Sequence, residues 1–160
     1  MRPISPLFAG LRAFMLVALV VAVAACARTP GTGLDGAGGA GTPGSQQEFL
    51  VTVGDRVFFE TDSSVITAEG QSTLDKQAVW LARYPQYRVL IEGHADERGT
   101  REYNIALGAR RAAAVVNYLT SRGVSQARLS SKSYGKERPV AVCNDISCWS
   151  QNRRAVTVLQ

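Results

Sequence analysis

Residues 47–160 show the spacings of apolar residues that are typical of a small folded domain. Short apolar runs, some with an apolar residue at every second position as in Phe49, Val51 and Val53, predict strands. These runs fall at residues 49–53, 57–59, 88–92, 128–134 and 154–159. The first two runs lie close together and are treated as one strand region.

Two segments between the strands have apolar residues at helical spacing. The first follows Thr67, a residue type that caps helices, and must end soon after Arg83 because Pro85 cannot continue it. The second begins near Glu102 and ends before Gly123, the residue type favoured just after a helix. The apolar faces consist of Leu74, Ala78 and Leu81 in the first helix, and of Leu107, Val115 and Leu119 in the second.

The predicted order of elements is strand, helix, strand, helix, strand, loop, strand. Strands separated by helices are typical of a two-layer α/β sandwich. We therefore expect an α/β (α+β) fold in which two helices lie on one face of a small mixed sheet, with parallel and antiparallel pairs.

The first 25 residues have the features of a secretory signal peptide. Arg2 and Arg12 precede the uncharged apolar run 13–25, which is short for a bilayer, since a spanning helix needs about 20 apolar residues. Residues 27–45 are mainly Gly, Ala, Thr and Pro, a composition that cannot bury enough surface to fold. The sequence predicts a signal peptide at 1–25, a lipidated cysteine with a flexible tether at 26–46 and a folded domain at 47–160.

The end of the signal peptide indicates a lipid anchor. Val23-Ala24-Ala25-Cys26 resembles the lipobox of bacterial lipoproteins, in which the cysteine sulfur receives a diacylglyceryl group. Acyl chains contribute roughly 0.8 kcal/mol per buried methylene, and several chains make a stable anchor. Ala27 stands where an aspartate often retains lipoproteins in the inner membrane, so the outer membrane is favoured. A plain signal peptide with an unmodified cysteine is the alternative.

Composition and charge argue for a globular domain and against nucleic-acid binding. The chain is 46% hydrophobic and 19% charged, which is ordinary for a folded protein. The net charge of +5 becomes +3 when Arg2 and Arg12 are removed with the signal peptide. The remaining basic residues are scattered rather than clustered with aromatics. The sequence therefore predicts no nucleic-acid partner.

Cys143 and Cys148 lie close together in a domain predicted to be exported, where disulfides persist. We expect a disulfide, with two free thiols as the alternative. Zinc is disfavoured because the single histidine, His94, lies far from both cysteines in the sequence. His94 is interpreted as a loop-ordering residue, and neither a metal nor a cofactor is predicted.

The densest polar segment is residues 92–111, EGHADERGTREYNIALGARR. Loops at the carboxyl ends of strands commonly bind ligands. Asn104 and Arg111 lie on nearly the same side of the predicted helix, with Leu107 between them, and Asp96 lies on the loop before it. A carboxylate and a guanidinium suit a zwitterionic ligand, with Asp96 accepting from an ammonium and Arg111 binding a carboxylate. A structural salt bridge between Asp96 and Arg111 is the alternative.

Several motifs carry a resemblance to a known family. EGHADERGT, YN, LG, ARR, SYGKERP and NRRA resemble the OmpA-like domain family, within it the lipoproteins of the Tol–Pal system that associate with peptidoglycan. The resemblance covers residues 57–158, and EGHADERGT is its most specific part. It implies that the ligand is the free end of the diaminopimelate side chain in the peptidoglycan stem peptide.

The resemblance also implies roles for individual residues. Asp96 corresponds to the loop aspartate that binds the amino group of diaminopimelate, and Arg111 to the helix arginine that binds its carboxylate. Asn104 and Leu107 correspond to positions that line or support the site.

The first strand region and the last strand contain further correspondences. Relatives usually have Phe-Asp where this chain has Phe59-Glu60, followed by Thr61. Glutamate is one methylene longer, so we expect these three residues to contribute through the backbone. Arg153 and Arg154 match a family signature that is interpreted as mainly structural.

The function implied by the resemblance is binding and anchoring, not catalysis. The lipid would hold the outer membrane and the periplasmic domain would hold peptidoglycan, which maintains envelope integrity and supports constriction in cell division. TolB and other Tol proteins are the further partners implied. A peptidoglycan hydrolase or transpeptidase would need several metal ligands or an activated nucleophile, and only His94 is available as a base. A flagellar stator would need a membrane-spanning helix, which does not fit in this chain.

Overall fold

The structure is a computed structural model, and it describes residues 41–160. The predicted signal peptide, Cys26 and most of the predicted tether lie outside these residues. At the start of the described chain, the Gly44 carbonyl accepts a hydrogen bond from the Tyr87 hydroxyl at 2.7 Å. The last residues of the predicted tether therefore contact the domain.

Four strands form one mixed sheet, as the sequence predicted. They are β1 (Arg56–Phe58), β2 (Val89–His94), β3 (Leu129–Gly135) and β4 (Arg154–Leu159). Their order across the sheet is β1-β4-β2-β3, with β2 and β3 parallel and the other two pairs antiparallel.

Within residues 41–160, four α-helices accompany the sheet, of which the second and third were predicted. They are α1 (Gln46–Glu48), α2 (Ala68–Arg83), α3 (Arg101–Ser121) and α4 (Ile146–Asn152), with a π-helical turn at Phe49–Val53 and a 3-10 turn at Gln126–Arg128. Thr67 caps α2 by accepting from the Gly70 amide at 3.1 Å. Thr100 caps α3 in the same way, by accepting from the Tyr103 amide at 3.2 Å. None of the helices between residues 41 and 160 is long and apolar enough to cross a membrane.

The prediction of a strand at residues 49–53 was wrong, because this segment is helical. Ser45 caps α1 by accepting from the Glu48 amide at 3.1 Å, which starts a helix immediately before the segment. Phe49 is fully buried against Trp80, with the ring centroids 4.9 Å apart, whereas Val51 is 53% exposed. The alternating apolar residues therefore do not form a buried face. The cap at Ser45 and the packing of Phe49 against Trp80 determine the helical conformation instead.

The loop predicted between β3 and β4 contains a helix, α4. Asp145 caps it by accepting from the Ser147 amide at 2.8 Å. Only Cys148 and Asn152 of this helix are buried. A helix of two turns with so few buried positions has no apolar stripe, which is why the spacing of apolar residues did not reveal it.

A single core lies between the sheet and helices α2 and α3, which agrees with the prediction that both helices lie on one face. The sheet contributes Val57, Val89, Ile91 and Ala155, and the two helices contribute Leu74, Leu81, Val115 and Leu119. Phe49 also belongs to this core, so its fully buried side chains come from residues 49–155.

The end of β2 and the middle of α3 approach each other at two glycines. A Cβ atom on Gly93 would collide with the carbonyl oxygen of Gly108, and a Cβ on Gly108 would lie 2.9 Å from the Gly93 oxygen. Only glycine permits this separation. The close approach brings the polar face of α3 over the loop that follows β2, where Asp96 lies.

Candidate ligand-binding site

A cavity of about 290 Å³ lies where the loops after β1 and β2 meet the first turns of α3. It is lined by Thr61, Asp62, Asp96, Arg98, Gly99, Tyr103, Asn104, Leu107 and Arg111. Five of the predicted site residues are among them: Asp96, Asn104, Leu107, Arg111 and Thr61. The tertiary structure thus gathers most of the predicted residues around one space.

Arg111 is fully buried and is held by three backbone carbonyls. Its Nε donates to the Ser63 oxygen at 2.8 Å, its Nη1 to the His94 oxygen at 2.8 Å and its Nη2 to the Glu60 oxygen at 3.1 Å. A guanidinium has five N–H donors, so one N–H on each Nη atom is left. The loops after β1 and β2 therefore fix the guanidinium and leave it able to bind an anion.

The charge of Arg111 is not neutralised by the groups that hold it, since all three are neutral carbonyls. Burial lowers the pKa of Arg111 to about 10, while the negative charge of Asp96 acts in the opposite direction. The side chain therefore remains a cation at neutral pH. A buried cation with only neutral partners attracts a carboxylate strongly.

Asp96 does not pair with Arg111, which excludes the structural salt bridge considered from the sequence. Its ion pairs are with Arg98, at 2.7 Å between Nη2 and Oδ2, and with Arg153, at 3.5 Å between Nη1 and Oδ2. Burial raises the pKa of Asp96, but the hydrogen bonds and charge of Arg98, together with Arg153, outweigh it and hold the pKa below its usual value. The carboxylate is therefore ionised at neutral pH.

Asn104 and Leu107 complete the wall formed by α3. The Nδ2 atom of Asn104 donates to the Arg98 carbonyl at 2.8 Å, which ties the loop after β2 to the helix. Both side chains are almost fully buried, at 2% exposure for Asn104 and 5% for Leu107. Asn104 thus orders the loop that carries Asp96, and Leu107 supplies an apolar surface between the charges.

Phe59, Glu60 and Thr61 lie at the site in different ways. Thr61 lines the cavity, whereas Phe59 and Glu60 line a neighbouring cavity of about 300 Å³. Glu60 contributes its carbonyl to Arg111. The Phe59 ring lies under that guanidinium, 5.1 Å from its carbon. Glu60 therefore meets the site through its backbone.

Sequence reasoning missed four wall residues: Asp62, Arg98, Gly99 and Tyr103. Asp62 has a φ of 55°, the only positive φ among the non-glycine residues 41–160, and its carboxylate accepts a hydrogen bond from the Tyr103 hydroxyl. This bond raises the pKa of Tyr103. The available signal was the turn composition of residues 61–64, since aspartate tolerates left-handed backbone better than most residues.

His94 is buried against Tyr134, with the rings stacked at 5.6 Å between centroids. Burial, followed by the charges of Arg154 and Arg138, lowers the pKa of His94 to about 4. Its ring nitrogens have no hydrogen-bond partner. His94 contacts the site through its backbone carbonyl, which accepts a hydrogen bond from Arg111. Within residues 41–160, no group of three or more His, Cys, Asp or Glu side chains could hold a metal ion.

The structure joins Cys143 and Cys148 in a disulfide, with the two Cα atoms 5.6 Å apart. The second cysteine belongs to α4, and the next residue, Trp149, lies over Arg98 with the guanidinium carbon 4.3 Å from the ring centroid. The disulfide segment, which is distant from the polar segment in the sequence, therefore reaches the edge of the cavity.

The fold and the cavity define a small α/β domain with a charged site at the carboxyl end of β2. The model of the OmpA family matches residues 58–153. The chain is 64% identical over 152 residues to the peptidoglycan-associated lipoprotein of Rhizobium meliloti (strain 1021), covering 91% of this chain and 86% of the relative. It is 69% identical over 121 residues to the protein of the same name from Brucella abortus biovar 1 (strain 9-941), covering 76% and 72% respectively.

A solved structure agrees with these sequence relatives. The crystal structure of the peptidoglycan-associated lipoprotein from Burkholderia pseudomallei is 42% identical and has a TM-score of 0.67, over 69% of this chain and 96% of that one. The chain therefore belongs to the OmpA family and, within it, to the peptidoglycan-associated lipoproteins.

Proposed function

We propose that this chain is an outer-membrane lipoprotein that binds peptidoglycan non-covalently, through the diaminopimelate side chain of the stem peptide. The observation that carries the proposal is that Asp96 and Arg111 line one cavity with opposite charges and do not neutralise each other. The free end of diaminopimelate carries an ammonium and a carboxylate on one carbon atom. A cavity whose wall carries both an acceptor and a cation fits that group.

Each residue then has a distinct role. Arg111 binds the ligand carboxylate with the N–H groups that the backbone carbonyls leave free, and Asp96 accepts from the ammonium. Leu107 contacts the methylene chain that leads from the carbon atom carrying both groups back to the stem peptide. Asn104 keeps the loop with Asp96 in place through its bond to the Arg98 carbonyl.

The proposal also covers the N-terminal part of the chain. The relatives are named as lipoproteins, and the lipobox in this sequence ends at Cys26. Residues 1–25 would be removed as a signal peptide, Cys26 would carry the lipid in the outer membrane, and the segment up to residue 46 would tether the domain. Many copies of the domain confined near the wall bind it jointly. The attachment is then stable even when each contact is weak, because the effective concentration is high.

The proposed cellular role is to link the outer membrane to the wall within the Tol–Pal system and to support constriction during division. TolB and other Tol proteins are proposed as partners on the strength of the sequence motifs. If TolB binds a surface that overlaps the peptidoglycan-binding surface, purified TolB should reduce the amount of chain that sediments with peptidoglycan. An unchanged amount with TolB bound would show separate surfaces.

Several features support binding rather than catalysis. The His94 ring is 2% exposed, and burial lowers its pKa to about 4, so it is a weak base that a substrate does not reach. Cys143 and Cys148 are joined to each other and offer no thiolate. Within residues 41–160 the charged cavity therefore lacks an activated nucleophile.

A comparison of two wall types tests the proposal. The chain without residues 1–26 should sediment with diaminopimelate-containing peptidoglycan and much less with lysine-containing peptidoglycan, because lysine lacks the carboxylate that Arg111 would bind. Free meso-diaminopimelate should release the bound chain in a concentration-dependent way. Equal binding to both wall types would refute the assignment of Arg111.

A further inference from the structure

Arg98 occupies the atoms of Asp96 that a ligand ammonium would need. Its Nη2 lies 2.7 Å from Oδ2, its Nε lies 3.2 Å from Oδ1, and its backbone N–H also donates to Oδ1 at 3.2 Å. Arg153 Nη1 approaches Oδ2 at 3.5 Å. A carboxylate has about four lone-pair directions. The hydrogen bonds from Arg98 use three of them, and Arg153, whose Nη1 makes no hydrogen bond, lies against Oδ2. An ammonium that makes more than one hydrogen bond to Asp96 can therefore bind only if an Arg98 contact is released.

The Arg98 side chain is the contact that can be released. It is 41% exposed, whereas the side chains of Asp96 and Arg153 are 9% and 6% exposed. Trp149 lies beside the Arg98 guanidinium at 4.3 Å and is itself held by a 3.1 Å hydrogen bond from its Nε1 to Glu97. An aromatic face stabilises a cation without any help from Asp96, so Arg98 keeps a favourable contact when it leaves the carboxylate.

We propose that Arg98 is a displaceable counterion of Asp96, and that it determines which ligands the site accepts. This inference rests on the proposed function. A ligand with an ammonium replaces one ion pair of Asp96 by another. A ligand that has only carboxylates offers Asp96 nothing in exchange, so it binds at Arg111 alone and leaves Arg98 in place.

The proposal predicts the direction of an affinity change. Arg98→Ala removes the side-chain contacts to the Asp96 carboxylate, so the variant should bind meso-diaminopimelate about two- to fivefold more tightly than wild type, the range expected for an exposed ion pair that no longer has to be broken. Pimelic acid has the same carbon chain without ammonium groups. Its binding should not improve, because the variant loses a positive charge and gains no new partner.

Calorimetric titration of the chain without residues 1–26, whose core is complete within the remaining residues, measures both affinities. The matched control is Arg101→Ala, since Arg101 is 65% exposed, pairs with Glu137 and does not contact Asp96. It removes the same charge close to the same loop. The control should change the affinity for meso-diaminopimelate by less than about twofold.

The Nε–H resonance of Arg98 in the wild-type chain gives a second readout that needs no variant. It should move when meso-diaminopimelate saturates the site and stay in place with pimelic acid. Weaker or unchanged binding of meso-diaminopimelate by Arg98→Ala, with a static resonance, would overturn the counterion proposal while leaving the proposed function intact. A wild-type chain that does not bind meso-diaminopimelate at all would overturn both.

Discussion

Asp96 and Arg111 line the same cavity from two different elements, and each is held by groups other than its counterpart. Asp96 lies on the loop after β2 and pairs with Arg98 and Arg153. Arg111 lies on α3 and donates to three backbone carbonyls. The two charges are therefore fixed in position by different partners and do not neutralise each other.

Replacing Asp96 by asparagine should abolish retention by the wall with little change in fold. Asn keeps the shape of the side chain but removes the charge that an ammonium requires, and we expect at least a tenfold loss of affinity, since charge-assisted hydrogen bonds contribute about 1.5–3 kcal/mol. Co-sedimentation with diaminopimelate-containing peptidoglycan measures the loss. Circular dichroism of the same sample shows whether the domain is folded, and a folded variant that binds as well as wild type would contradict the assigned role of Asp96.

Replacing Arg111 by alanine should lower the free energy of unfolding by about 3 kcal/mol or more, because three carbonyls in the interior lose their donor. Urea denaturation measures this change. Arg111→Lys retains the charge but not the fork of N–H groups, so it should be less destabilised and still bind the wall poorly. Arg101→Ala serves as the control and should change stability by less than about 0.5 kcal/mol. An Arg111→Ala variant as stable as wild type would show that the three hydrogen bonds are dispensable.

Removing the disulfide should destabilise the domain moderately. The disulfide closes a loop between two cysteines with a sequence separation of 5. Replacing Cys143 and Cys148 by serine opens this loop and should lower the free energy of unfolding by about 2 kcal/mol in the chain-entropy model. Thermal unfolding with and without a reductant measures the effect. Reductant should lower the midpoint of the wild-type domain to that of the double variant and leave the double variant unchanged.

The stability of the domain should fall on mild acidification, and His94 should be one cause. Its pKa is lowered from 6.5 to about 4 in the folded protein. The unfolded chain therefore takes up a proton at His94 that the folded domain excludes, and the free energy of unfolding decreases as the pH falls from 6.5 to about 4. Below that window the His94 contribution levels off.

Denaturation across this pH window, in wild type and in His94→Phe, isolates the contribution of the imidazole. Phenylalanine keeps a ring against Tyr134 and cannot titrate. Its unfolding free energy should therefore depend less on pH within the window. Parallel pH profiles of the two proteins would assign the acid sensitivity to other groups.

The local pattern of apolar and polar residues was sufficient to predict much of the fold. Helices α2 and α3 follow from apolar residues at helical spacing with Thr67 and Pro85 as boundaries, and the sheet strands follow from short apolar runs. The pattern failed at Phe49–Val53, where a cap at Ser45 and the contact of Phe49 with Trp80 override the alternation. It also failed at α4, which buries too little to leave a periodic signal.

For the candidate site, the sequence by itself predicted Asp96 and Arg111, which both line the cavity. Helical geometry places Asn104, Leu107 and Arg111 on one side of α3, and Asp96 is the second residue after β2, so local spacing was enough to predict that they lie near one another. The tertiary structure alone decided what surrounds them. Arg111 is held by carbonyls 48 and 51 residues away, and Trp149 contacts the loop of Asp96 at a separation of 52 residues. Such partners are joined by the sheet and by the close approach at Gly93 and Gly108, and no local period records contacts between segments so far apart in the chain.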